Sequence, residues 1–151
     1  MGPQGLLLDT NVLSELLRPA PDAGVLGWFA AQRDDALWVS SVTQAEMLLG
    51  ARLLPVGQRR TALEVQLHAM FSEDFAGRLL PFDSPAAMAY AEIVAARRAA
   101  GRPISHFDAQ IAAIAFSRNV AVVTRNVADF EGCGVEVVNP WSDSTQPSPG
   151  R

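Results

Sequence analysis

Three acidic residues occupy positions that the hydrophobic pattern assigns to the interior. Asp9 directly follows Leu6-Leu7-Leu8, an apolar run that reads as a buried strand, so it sits at that strand's carboxyl end. Glu46 has Val42 at i−4, Leu49 at i+3 and Leu53 at i+7, which places it on the apolar stripe of a predicted helix. Asp108 shares a helix face with Ile111, Ala112 and Ala115. Burying one unpaired carboxylate costs several kcal/mol. Set against a total stability of about 5–15 kcal/mol, three of them need a common compensation. Convergence on a divalent cation supplies it. A fourth acid, Asp129, lies in the segment that follows Val120-Ala121-Val122-Val123, again at the carboxyl end of a predicted strand.

Each acid also has a purely structural reading. Asp9 can cap the next helix, and Glu46 can tilt to solvent or pair with Arg52. Asp108, the third residue after Ser105, is well placed at the positive end of a helix dipole. Asp129 can be a solvated loop residue. Taken together these readings lose ground, because one ion accounts for all four. Oxygen ligands without clustered His or Cys point to Mg²⁺ or Mn²⁺ rather than zinc. His68 and His106 are not spaced as a pair, and Gly132-Cys133-Gly134 is a turn, not a dinucleotide fingerprint.

The elements that must position these groups alternate. Strands are predicted at residues 5–8, 37–39, 79–82, 120–123 and 135–138. Helices are expected from Thr10 to Arg18, after Asp22 to Gln32, from a Ser41/Gln44 capping box to Leu53, and beyond the Pro55-Val56-Gly57 turn. Leu63, Leu67, Met70 and Phe71 form the stripe of that last helix. Ser84-Pro85 opens the next, which Gly101 closes, and Ser105 caps the final one, ending near Arg118. Strands separated by helices make an α/β fold with a parallel sheet between helical layers. Ligands in such folds lie beyond the carboxyl ends of the strands. The ordered domain is expected to span residues 1–141, and the polar tail 142–151 is expected to be disordered.

Composition narrows the function classes. A chain of 151 residues is one domain by size and buries enough surface to fold without staples. Its 49% hydrophobic and 19% charged content excludes disorder. No apolar run approaches the ~20 residues of a membrane span, and no signal-peptide pattern opens the chain. A single cysteine fits a reducing, cytoplasmic setting. All twelve basic side chains are Arg, which removes Walker A, Schiff-base and receiver-type chemistry. A formal charge of −4 excludes wrapping nucleic acid by bulk electrostatics but leaves local phosphate contacts open. Arg59-Arg60 and Arg97-Arg98 read as solvated helix faces in preference to RNA-facing groups.

Four motifs in order resemble the PIN-domain nucleases: Leu8-Asp9-Thr10-Asn11-Val12-Leu13, Glu46 in a mid-chain helix, Asp108-Ala109-Gln110-Ile111, and Val123-Thr124-Arg125-Asn126 through Asp129-Phe130. Leu13-Ser14-Glu15-Leu16 and Val138-Asn139-Pro140-Trp141 resemble the VapC/FitB-like branch, the toxins of type II toxin–antitoxin pairs. The resemblance implies a five-stranded parallel sheet flanked by helices and a Mg²⁺- or Mn²⁺-dependent endoribonuclease. It makes Asp9, Glu46, Asp108 and Asp129 the catalytic metal ligands. Thr10, Asn11, Thr124 and Asn126 become hydrogen-bonding supports, and Arg125 a substrate-binding group. It further implies a homodimer, a cognate antitoxin, an RNA substrate, and operator DNA reached only through the antitoxin. Val25, Leu26, Trp28, Phe29, Met47 and Leu48 offer apolar surface for the dimer. Two alternatives remain. One is a PIN-like module without nuclease activity, working through protein contacts. The other is a haloacid-dehalogenase-like phosphatase, which would want a second Asp where Asn11 stands and usually a Lys.

Overall fold

The computed structural model describes residues 2–141, so the tail from residue 142 onward, expected to be disordered, lies outside the described residues. Leu6-Leu7-Leu8 forms the central strand β1 (Leu6–Leu8). It pairs in parallel with β2 (Leu37–Ser40) on one side and β4 (Ala121–Val123) on the other. β3 (Leu79–Leu80) extends the sheet beyond β2 and β5 (Val137–Val138) beyond β4, giving the order β3-β2-β1-β4-β5. Because side chains alternate along a strand, Leu7 and Leu8 face opposite sides of the sheet. Leu7 and Val122 pack with Ile93, Ile111 and Ile114, under α5 (Ser84–Ala99) and α6 (His106–Arg118). Leu8 and Val123 pack with Val12, Val25, Met47 and Leu67 on the other side. Those residues come from α1 (Thr10–Leu16), α2 (Ala23–Ala30), α3 (Ser41–Arg52) and α4 (Gln58–Ala69). Burial on both faces explains why the strands are continuous apolar runs.

Several boundaries move by a residue, each for a local reason. Ser40, not Ser41, caps α3: its backbone is still extended and its Oγ accepts from the Thr43 N–H at 3.0 Å. Asp83 caps α5 by accepting from the Ala86 N–H, which leaves Ser84 as the first helical residue. The helix expected to run through Met70 and Phe71 ends at Ala69 and passes into a π-helical turn, Met70–Asp74. Val135 and Glu136 approach the sheet but stay outside β5.

Two readings of apolar surface are corrected. The stripe drawn through Val42, Glu46, Leu49 and Leu53 is not the buried one, since Leu49 and Leu53 are 56% and 74% exposed. α3 instead buries Val42, Thr43, Met47 and Ala51. Of the residues assigned to a dimer face, Val25 and Met47 are in the monomer core, and Trp28 and Phe29 pack against it. Leu26 and Leu48 stay exposed. No described helix is long and apolar enough to cross a membrane.

Candidate active site

The carboxyl end of β1 builds the site. Asp9 leaves the strand with its N–H still bonded to Val123 O at 2.9 Å. It then caps α1, its Oδ1 accepting from the Thr10 N–H at 2.8 Å. Its other oxygen accepts from the Thr124 hydroxyl at 2.8 Å and from Asn11 Nδ2 at 3.3 Å. Asp9 is therefore a helix cap and a buried carboxylate at once. Thr124, fully buried at the end of β4, also accepts from Asn11 Nδ2 and from the Asn126 N–H. Asn126 thus contributes through its backbone, with its side chain exposed. Asn11 Oδ1 accepts from the Arg125 N–H at 3.2 Å, tying the start of α1 to the loop after β4.

Glu46 is half-buried on α3 and does not pair with Arg52, which reaches Glu64 instead. Glu46 Oε1 accepts from the Thr10 hydroxyl at 2.7 Å. The same hydroxyl lies 3.2 Å from Thr43 Oγ1. Thr43 is a support that sequence reading missed; its signal was a buried hydroxyl three residues before Glu46, on the same helical face. Asp108 is half-buried in the first turn of α6, its N–H bonded to the Ser105 cap. Asp129 is exposed in a short 3₁₀ turn, Val127–Phe130, after β4.

These acids lie near enough for their charges to act on one another. Burial raises the proton affinity of Asp9, and the charges of Glu46 and Asp129 raise it further, against the opposing bonds from Thr124 and Thr10. Burial and the charge of Asp9, then that of Asp129, raise Asp108 likewise. Among the described residues, none of the four has a cation within ion-pairing distance. Glu15 shows what a purely structural buried acid looks like. It accepts from the Asp22 N–H at 2.8 Å and pairs with Arg18 at 3.2 Å.

The donor set is all oxygen. Among the described residues no three Asp, Glu, His or Cys side chains stand close enough to cage an ion alone. Oxygen donors of this kind suit Mg²⁺ or Mn²⁺ over zinc, and Asp9, Glu46, Asp108 and Asp129 are the side chains that would hold such an ion. Mg²⁺ keeps several waters and takes one or two carboxylates together with substrate phosphate oxygens. Arg125 is exposed beside Asn11, its guanidinium stacked 5.1 Å above the Trp141 ring. Arg59 is exposed and Arg60 lies 3.8 Å from Glu64. Arg97 corrects the expectation of a solvated face, being only 6% exposed. Its spacing gave the signal, since it continues the buried stripe Ala86, Ala89, Ile93.

The PIN-domain family model matches residues 6–131, from β1 through the loop that carries Asp129. The chain belongs to the PIN-domain family. The plasmid stability protein StbB of Pseudomonas syringae pv. tomato is 45% identical over 136 residues, covering 90% of this chain and 98% of that protein. The VapC ribonuclease Y4jK of Sinorhizobium fredii is 40% identical over 136 residues, covering 90% and 97%. The crystal structure of FitAcB from Neisseria gonorrhoeae superposes with a TM-score of 0.85 at 40% identity, covering 90% and 98%. Within the PIN family this chain is similar to VapC and FitB proteins, and the phosphatase alternative falls away.

Proposed function

We propose that this PIN domain is a Mg²⁺- or Mn²⁺-dependent endoribonuclease acting in the cytoplasm as the toxin of a type II toxin–antitoxin pair. One observation carries the reading: the charges of Glu46 on α3 and Asp129 after β4 act on Asp9 at the end of β1, those of Asp9 and Asp129 act on Asp108 of α6, and no cation of the described residues is within ion-pairing distance of the four. Such a cluster repels a phosphodiester unless a divalent ion is present. The bound ion would neutralise the phosphate, make a water more acidic and stabilise the leaving oxygen.

The chain's own residues do the rest. Thr124, Asn11 and the Thr10 N–H hold Asp9 in one orientation, and the Thr10 hydroxyl holds Glu46. A carboxylate of the cluster takes the proton of the attacking water. Arg125 offers the phosphate backbone a positive charge at the rim. Water, not the ribose 2′-hydroxyl, attacks the phosphorus and breaks the bond to the 3′-oxygen, which takes a proton from solvent, so the products carry 5′-phosphate and 3′-hydroxyl ends. RNA as substrate is supported by the relative named a ribonuclease.

The surface beside the site suits an inhibitory partner. A cleft of about 300 Å³ opens next to Thr10 and Glu46, between α1, α3 and α4. It shares Leu17 with a second cleft of about 670 Å³ lined by Leu13, Leu16, Leu26, Phe29 and Phe75. An antitoxin segment with apolar side chains fits these clefts. An Arg or Lys on it, inserted among the acids, competes with the ion for the same charge. The antitoxin's other end binds the operator DNA that this acidic chain is poorly suited to bind alone. The test is RNA cleavage by purified chain in Mg²⁺, compared with Asp9→Asn, Glu46→Gln and Asp108→Asn. Each variant is expected to lose cleavage. Full activity in any of them removes that residue from the site, and no cleavage by the wild type supports the non-catalytic alternative.

A further inference from the structure

Arg97 is the one buried Arg among the described residues; its charge reaches Asp108, but no carboxylate lies within ion-pairing distance of it. Taking a guanidinium out of water without a counter-ion is costly. Here the compensation comes from backbone. Nε donates to Arg102 O at 2.6 Å, and Nη1 donates to Asp129 O at 2.9 Å and to Glu131 O at 2.8 Å. The Cys133 sulfur lies 3.6 Å from the same nitrogen.

The segment it grips has little order of its own. Residues 127–130 make a single 3₁₀ turn, and Gly132 and Gly134 take left-handed backbone, φ 74° and 75°. Phe130 anchors the segment in the core. The exposed Asp129 side chain has no hydrogen bond or ion pair among the described residues, so the placement of its backbone sets the region its carboxylate can reach. A second clasp lies outside the first: Arg102, whose carbonyl receives Arg97 Nε, pairs with Glu131 at 2.8 Å.

We propose that Arg97 is a positioning residue, whose guanidinium ties α5 to the backbone of residues 129–131 and so keeps the Asp129 carboxylate within reach of Asp9 and Asp108. What Asp129 does there rests on the functional reading above. Lysine carries the same charge, but as a compact ammonium it cannot replace a planar fork that spans three carbonyls. Conservation of charge is therefore not conservation of the clamp.

The experiment compares wild type, Arg97→Lys, Arg97→Gln, Asp129→Asn and the double variant Arg97→Lys/Asp129→Asn. Amide hydrogen exchange without metal is the first readout. The N–H groups of Asp129, Glu131 and Cys133, bonded to Asn126, Ala128 and Phe130 carbonyls, are expected to exchange at least about tenfold faster in Arg97→Lys. Those of Ile111–Ala115 in α6 are expected to keep wild-type protection. Mn²⁺ affinity, measured by the paramagnetic resonance of the ion without RNA, is the second. Arg97→Lys and Asp129→Asn are each expected to weaken it about five- to tenfold, and the double variant no further than Asp129→Asn alone. Unchanged exchange, a uniform loss of protection, additive effects on Mn²⁺, or failure of both Arg97 variants to melt cooperatively would each overturn the proposal. Wild-type chain that binds Mn²⁺ but cuts no RNA contradicts the nuclease reading and leaves the clamp standing. Wild-type chain that binds no Mn²⁺ contradicts both that reading and the second half of this inference, while the exchange readout still decides the first.

Discussion

Thr124→Val is the substitution whose outcome the geometry dictates most closely. Valine matches threonine in shape, and the site is fully buried, so packing is kept and only the hydroxyl is lost. That hydroxyl donates to Asp9 Oδ2 and accepts from Asn11 Nδ2 and the Asn126 N–H. Asn126 is exposed and can turn its N–H to water, and Asn11 still reaches Asp9 Oδ2. The cost therefore concentrates in the bond to a buried carboxylate, about 2 kcal/mol. For a chain of this size that lowers the melting temperature by about 4–8 °C. The same bond is the strongest influence holding down the proton affinity of Asp9. Without it Asp9 keeps its proton to higher pH and competes less well for a divalent ion, so the acid limb of the cleavage–pH profile moves upward. Thr124→Ser keeps the hydroxyl and is expected to match the wild type in the profile. Melting in EDTA and initial rates of RNA cleavage across pH measure both effects. A Thr124→Val profile that overlays the wild type, or a melting temperature within about 1 °C of it, would refute the reasoning.

Three further outcomes are expected. Asp9 and Asp108 bind protons more tightly folded than unfolded, so their contribution to stability is full below the ordinary carboxylate value of 3.8 and is lost as pH rises through their raised values. Melting in EDTA should fall across that window and melting in Mg²⁺ should fall less; equal pH dependence in both contradicts this. Asp108→Asn relieves repulsion from Asp9 and Asp129 and gives up some helix-dipole stabilisation, so at neutral pH in EDTA it is expected to match the wild type or gain up to about 1 kcal/mol, checked by denaturant melts. The chain is expected to run at twice its 16.2 kDa mass at micromolar concentration without an antitoxin. The exposed Leu48, Leu49 and Leu53 of α3 and Val65 of α4 supply the apolar surface, and a monomeric mass by light scattering counts against the dimer.

The layered fold was legible because a parallel sheet covered on both faces writes itself as short apolar runs between capped helices. The acids of the site were legible for a related reason: carboxylates at strand ends and on inward-turned helix faces break a pattern. Glu46 was found by a partly mistaken argument. Its stripe partners Leu49 and Leu53 face outward, because a twelve-residue helix with Val42, Ala45, Met47, Leu48, Leu49 and Ala51 spread nearly all round carries no unique buried face in its sequence. Thr43 escaped notice because a buried hydroxyl breaks no pattern. Arg97 escaped because its neighbour Arg98 made the pair resemble a solvated helix end, although only its own position continues the stripe of α5. Cap positions shifted at Ser40 and Asp83, where two adjacent residues could each have capped and backbone direction made the choice.

The ends left on cleaved RNA test the central claim most directly. Purified chain is incubated with an end-labelled RNA and Mg²⁺, with a parallel reaction in EDTA, and the termini of the fragments are determined. Fragments with 5′-phosphate and 3′-hydroxyl ends are expected, formed in Mg²⁺ and absent in EDTA. Fragments with 2′,3′-cyclic phosphate ends, or cleavage that persists in EDTA, would contradict a centre in which Asp9, Glu46, Asp108 and Asp129 act through a divalent ion.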